Sequence, residues 1–191
     1  MERLNVTGTS TVIKTLESGT IVRARSGEAR RSIPGPVAKH EAAHVVAAGK
    51  IVSATIIPSG DALGTTQPVK MTAQAAAAAE ALGCSGTGHD MFITEHVLGV
   101  GPSVAKSAAR SALSGKSEEM YEVATLLQER RTIGQSDVDE ARQNVKDRNQ
   151  GIFPIVVEII IPDGRTRSIT AKSFHGEISI ADLSKSLPKD A

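Results

Sequence analysis

His40-Glu41-Ala42-Ala43-His44 sets two histidines four positions apart. On a helix, residues i and i+4 lie one above the other on a single face, so both imidazoles can reach one zinc ion. Glu41 then stands beside them, able to take a proton from metal-bound water. Chance produces this spacing about 0.01 times in a chain of such composition, so the pattern carries information. The competing reading has both histidines satisfied by helix and loop partners, with Glu41 merely solvated. Val37, Ala47 and Ala48 share the histidine face and would give the site a dry wall. A catalytic zinc takes a third protein ligand and keeps a fourth position open for water. Downstream candidates are Glu80, His89, Asp90, Glu95, His96 and Glu177. Spacing alone does not choose among them, because no extended HxxGxxH run follows His44.

Other chemistries fare worse. Cys84 is the single cysteine, which excludes an internal disulfide and a cysteine-based zinc ribbon. Paired with His89 it could imitate a cysteine-protease dyad, but no third, orienting group is identifiable. The run GVGPSVAKS has Ala105 where a P-loop requires glycine and Val100 where its first glycine would stand, so it is no phosphate cradle. With 22 Lys+Arg against 21 Asp+Glu, charge is balanced. The only aromatics are Phe92, Tyr121, Phe153 and Phe174. Nucleic-acid binding needs clustered positive charge and stacking platforms, and neither is present. No apolar run approaches the length of a membrane span, and the first residues lack a signal-peptide core. The expectation is a cytoplasmic protein with no membrane contact.

The elements that must position these residues follow from punctuation and periodicity. Residues 9–26 read as a hairpin turning at Ser18-Gly19, followed by the basic connector EARRSIPGP. Pro36 opens a helix that Gly49 ends, and IVSATII at 51–57 reads as a strand closed by Pro58. This strand is expected to offer its edge to an extended peptide. An alanine-rich helix spans 72–82 with Thr72 as N-cap and Gly83 as terminator; its small side chains imply close packing. Short helical patterns cover 89–98 and 102–113. An amphipathic helix with acids first and arginines last covers 117–131, and another runs from Ser136 to about Arg148. After Gly151, IFPIVVEIII and RTRSITAKS flank Pro162-Asp163-Gly164 as a second hairpin, with the alternating run as sheet core. Helices in the middle and strands at both ends indicate an α+β fold whose terminal hairpins share a sheet or form an appendage.

The stretch HEAAHVVAAGKIVSATIIPSGDALGTTQP resembles the protease domain of FtsH-type ATP-dependent zinc metalloproteases. There a HEAGH helix is followed by a strand and a TIIPRGxALGxTxx segment. The matching pieces are His40 to His44, Thr55-Ile56-Ile57-Pro58 and Ala62-Leu63-Gly64-Thr65-Thr66. Farther on, AAAAEALGCSGTGHD is similar to the family's AAE helix, Thr-Gly turn and Asp. That Asp is the family's third zinc ligand, so the resemblance implies Asp90, with Glu80 as the alternative ligand or as a carboxylate orienting a histidine. Weaker similarity runs through SEEMYEVATLLQERRTIGQSDVDEA, and the whole covers about residues 36–145. The family's middle glycine is Ala43 here, the interval to Asp90 is shorter than in full-length relatives, and neither an ATPase module nor a transmembrane anchor lies within the 191 residues.

The resemblance implies a mainly helical zincin-like metallopeptidase domain with a small sheet over residues 34–150. A hairpin and connector (1–33) and a hairpin appendage (151–191) would flank it. It implies a zinc-dependent endopeptidase with Zn2+ on His40, His44 and Asp90 and with Glu41 as base, cutting flexible or unfolded segments of a protein or peptide substrate. An ATPase in trans and a homo-oligomer are the partners it leaves open. The rival, of another class, is a non-catalytic binding or regulatory module that keeps the metallopeptidase fold. Retention of Glu41 beside both histidines speaks against the rival, because a scaffold has no need of the base. Lacking a P-loop, the purified chain should neither bind nor hydrolyse ATP, which equilibrium dialysis and phosphate release will check; tight ATP binding would overturn the reading of GVGPSVAKS.

Overall fold

The structure, a computed structural model, describes residues 3–6, 11–27, 33–174 and 176–179. Residues 28–32 of the expected basic connector lie outside the described residues, as do 9 and 10 at the start of the first hairpin. In chain order the elements are β1 (Arg3–Asn5), β2 (Thr11–Thr15), β3 (Ile21–Ser26), α1 (Pro36–Ala48), β4 (Ile51–Thr55) and β5 (Thr65–Pro68). They continue with α2 (Ala73–Ala76), α3 (Ala78–Ala81), α4 (Gly88–Phe92), a π-helical turn (Ile93–Val97), α5 (Pro102–Leu113) and α6 (Ser117–Arg130). The last are β6 (Thr132–Ile133), α7 (Gln135–Asn149), β7 (Ile152–Ile160), β8 (Thr166–Phe174) and β9 (Glu177–Ser179). The chain divides into two compact units, one of residues 32–145 and one of residues 1–31 with 146–191.

In the unit of residues 32–145, α1 starts on Pro36, whose missing N–H costs nothing in a first turn. It ends where Gly49 takes left-handed backbone (φ 75°) and its N–H closes on the Val45 carbonyl at 3.1 Å. Ala38, Ala42, Ala43, Val45, Val46 and Ala47 are all buried, so α1 is a core helix rather than a surface one. It packs on α6 in a cluster with Val123, Ala124, Leu126 and Leu127, and Ile51, Ala54, Ile56 and Ile133 of the neighbouring sheet segments join them. That sheet has the order β5-β4-β6 and is antiparallel throughout. Ala54 lies opposite Thr66 on one side and Ile133 on the other. The strand expected to offer an edge as far as Ile57 is therefore the central one, and among the described residues the edges of this sheet are β5 and the two-residue β6.

The expected helix over 72–82 is two helices meeting at Ala77, whose backbone (φ −84°, ψ 2°) leaves the helical path. Thr72 caps the first, its hydroxyl accepting the Ala75 N–H at 3.2 Å. Ala77 packs with Ala105 and Ala109 of α5, a contact that only small side chains permit. Helix α7 begins one residue earlier than expected: the Asp137 carboxylate, at the third helical position, accepts the Gly134 N–H at 2.7 Å. No described helix is long and apolar enough to cross a membrane.

In the other unit, β2-β3-β7-β8 form one antiparallel sheet, and β1 pairs with β9. Hairpin turns at Gly19 (φ 80°) and Gly164 (φ 87°) stand at the expected positions. The β3–β7 pairing joins segments about 130 residues apart, placing Val22 opposite Ile159 and Ala24 opposite Val157 on the buried face. On the other face Arg23 meets Glu158 at 3.3 Å. The Leu4–Ile178 pair adds its side chains to the same apolar cluster, and Lys172 pairs with Asp147 of the last turn of α7.

These sheets correct the expected fold class. The structure is 44% helical with 28% strand, in three antiparallel sheets with nine strands among the described residues. It is not a mainly helical zincin-like domain with one small sheet. The reason is that strand-forming segments were legible one by one, but their pairing partners lie far away in sequence, and local periodicity holds no record of them.

Arg131 is the one non-glycine residue with positive φ (67°) among those described. Its carbonyl accepts the Ile56 N–H at 2.9 Å and the Thr55 hydroxyl at 3.2 Å, and these bonds hold the conformation. Left-handed backbone costs an L-residue about 1–2 kcal/mol, part of which glycine's extra freedom in the unfolded chain offsets. Arg131→Gly should raise stability by about 0.5–1 kcal/mol in urea denaturation; a loss of stability would show that the Arg131 side chain contributes more than the strain.

Candidate functional site

On α1 the rings of His40 and His44 stand 4.9 Å apart, with planes inclined at 62°. Each turns its Nδ1 to a backbone carbonyl. His44 Nδ1 donates to Ala75 at 2.7 Å and His40 Nδ1 to Ser85 at 3.2 Å. In a neutral imidazole the nitrogen that donates carries the single proton, so these bonds assign lone pairs to both Nε2 atoms. The two Nε2 atoms are 3.1 Å apart. Asp90 Oδ2 lies 3.2 Å from that of His40 and 3.3 Å from that of His44. This oxygen is buried, and no hydrogen bond of good geometry reaches it. Among the described residues, His40, His44 and Asp90 are the three that could together hold a metal ion.

Asp90 reaches the histidines from α4. The Met91 N–H closes the first turn on the Thr87 carbonyl at 3.0 Å, and the fully buried Thr94 donates its hydroxyl to the Asp90 carbonyl at 2.8 Å. The π-helical turn follows at once, a widening often met beside functional sites. Burial alone would raise the Asp90 carboxyl; when the Nε2 atoms carry protons, the two imidazoles outweigh burial and hold the group down at about 2. Burial pushes His44 down, and the neighbouring Asp90 carboxylate, with the Ala75 carbonyl and Glu41, lifts it above its ordinary value.

Glu41 is 4% exposed and has no ion-pair partner among the described residues. Its burial raises the carboxyl, against the opposing pull of the Thr66 hydrogen bond and the two histidines. Thr66, on β5, donates its hydroxyl to Glu41 Oε2 at 2.7 Å. Gly64 lies against the same carboxylate: a Cβ there would stand 2.7 Å from Glu41 Oε1 and 2.9 Å from the Thr55 carbonyl. Gly64 and Thr66 belong to the ALGTT segment, whose sequence alone carries no sign of a role for either. That they face the glutamate follows from the register of β5 on β4. The Ala75 and Ser85 carbonyls are backbone groups, so no side chain could have announced them.

The other candidates are elsewhere. Glu80 accepts Lys106 Nζ at 2.7 Å and the Thr87 hydroxyl, and is hydrogen-bonded to neither histidine. His89 and Glu95 are exposed, and exposed His96 lies with its ring 4.7 Å from Phe92. Glu177, in the other unit, pairs with Arg3 at 2.8 Å. Cys84 is half-buried, and burial pushes its thiol up, away from the nucleophilic thiolate. Compared with known proteins, the chain matches no family model, and no curated protein matches it.

The close approach of Gly64 to Glu41 is testable by a double-mutant cycle. Gly64→Ala should cost about 1–3 kcal/mol of stability, and the cost should shrink by at least about 0.5 kcal/mol when Glu41 is first truncated to alanine. An equal penalty in both backgrounds would mean that the Thr55 backbone, not the carboxylate, sets the limit.

Proposed function

We propose that this chain is a zinc-dependent endopeptidase acting on flexible or unfolded protein segments. The observation that carries the reading is the triangle formed by His40 Nε2, His44 Nε2 and Asp90 Oδ2. Tetrahedral bonds of about 2.0–2.1 Å place zinc ligands about 3.3–3.4 Å apart, and the triangle's edges of 3.1, 3.2 and 3.3 Å come within a few tenths of that spacing. Two neutral imidazoles and one carboxylate are donors that zinc accepts, and they leave a fourth position open. The buried, unpartnered Asp90 oxygen is what a cation would satisfy. The resemblance of HEAAH and ALGTT to FtsH-type proteases supports the same reading.

When bound, zinc supplies Lewis-acid polarisation of the scissile carbonyl and acidifies a water. Glu41 takes the proton and passes it to the leaving amine. Its burial strengthens it as a base, and the Thr66 hydroxyl holds Oε2 in place. The Ala75 and Ser85 carbonyls orient the imidazoles and make them better donors. The free edge of β5 offers backbone hydrogen bonds to an extended segment without demanding sequence. An ATPase in trans and a cytoplasmic setting belong to this proposal.

The test is zinc content together with chelator-sensitive cleavage of casein. His40→Ala and His44→Ala should lower zinc affinity by about 100-fold or more, and Asp90→Asn by about 10- to 100-fold. Glu41→Gln should keep zinc and lose about 10²- to 10⁴-fold in cleavage. Full activity in Glu41→Gln would overturn the base, and a wild-type protein that holds zinc but never cleaves would favour the binding or regulatory module.

A further inference from the structure

The segment that delivers Asp90 is poor in intrinsic rigidity. Between α3 and α4 lie Gly83 (φ 74°) and Gly86 (φ 79°), and Gly88 is the first residue of α4; a chain this rich in glycine loses much freedom on being ordered. Two parts of the triangle depend on it: the Ser85 carbonyl sets the tautomer of His40, and Asp90 follows two residues after Gly88. One interaction bridges the segment from end to end. Glu80, on α3, accepts the hydroxyl of Thr87, which is buried and whose carbonyl closes the first turn of α4. Glu80 is itself anchored by Lys106 on α5 at 2.7 Å, beside the alanine contacts of α5 with Ala77. The Lys106 bond, and next the Thr87 bond, hold the Glu80 carboxyl below its usual range, so that it accepts at neutral pH.

We propose that Glu80 is a positioning residue, neither ligand nor base. Through Thr87 it clamps the glycine-rich segment, so that Asp90 and the Ser85 carbonyl are set before the metal arrives. The proposal rests on the metal-site reading above and adds a residue to it. Its consequence is thermodynamic: without the clamp, ordering the segment is charged against metal binding, and affinity falls.

The experiment is a competition titration of Zn2+ against a chromophoric chelator, using the whole chain and needing no peptidase activity. Glu80→Leu removes the acceptor, Thr87→Val removes the donor at nearly constant volume, and Thr87→Ser restores it. Wild type and Thr87→Ser should bind alike, while Glu80→Leu and Thr87→Val should each bind about 10- to 100-fold more weakly at unchanged stoichiometry. Amide exchange across 82–90 should quicken in those two variants in the metal-free state. Should Glu80→Leu fail to fold, Thr87→Val and its serine rescue decide the matter. Wild-type affinity in Thr87→Val would overturn the clamp. Loss of zinc in Glu80→Leu together with normal binding in Asp90→Asn would make Glu80 a ligand and overturn it too. A wild-type chain that binds no zinc would instead bring down the metal-site reading, and this inference with it.

Discussion

Three electron-pair donors held within 3.3 Å of one another are the constraint around which the middle of this protein is arranged. Two imidazole lone pairs and a carboxylate oxygen repel in a partly dry environment, where Coulomb forces are stronger than in water. Only positive charge among them, a proton or a metal ion, relieves that repulsion. The surrounding chain resists the obvious escape, which is for the rings to swing apart. Each Nδ1 is tied to a carbonyl from a different segment, and Asp90 is tied through its backbone to the buried Thr94.

The same constraint explains the composition of α1. A helix that must carry a polar face into the interior can do so only if its other sides pack closely enough to hold it there. Alanine and valine do this: Ala42, Ala43, Val45 and Val46 are completely buried against α6 and the sheet. On the side of Glu41 the fit is tighter still, since Gly64 leaves no room for a side chain and Thr66 donates its hydroxyl to the carboxylate.

The unit built from the two chain ends obeys a different rule. Its strands bury one face by strict alternation, so that Ile155, Val157 and Ile159 point inward while Glu158 points outward to Arg23. A register slip of one residue would exchange these faces, so the β3–β7 pairing is specified by the apolar pattern on both strands even though loop closure over so many residues is entropically costly.

How much of this was legible beforehand divides along the same physical line. Properties that depend on neighbours within about one turn or one hairpin could be read from the residues: the helix from Pro36 to Gly49, the Thr72 cap, the turns at Gly19 and Gly164, and the stacking of His40 over His44. Properties that depend on distant partners could not. The HExxH spacing left six candidates for a third group, and only a family resemblance singled out Asp90; the fold brings Asp90 to the two rings and sends Glu80 to Lys106 and Thr87. Likewise the strand at 51–55 could be recognised by its β-branched residues, but its central place between β5 and β6 could not. That the terminal hairpins share a sheet was one of two alternatives open to the sequence, but the pairing of β3 with β7 that joins them was not legible. Local geometry is written in φ, ψ preferences and side-chain periodicity, which each residue carries with it. Pairing and convergence are decided by which apolar faces bury one another when the whole chain closes, and that choice belongs to no short stretch of sequence.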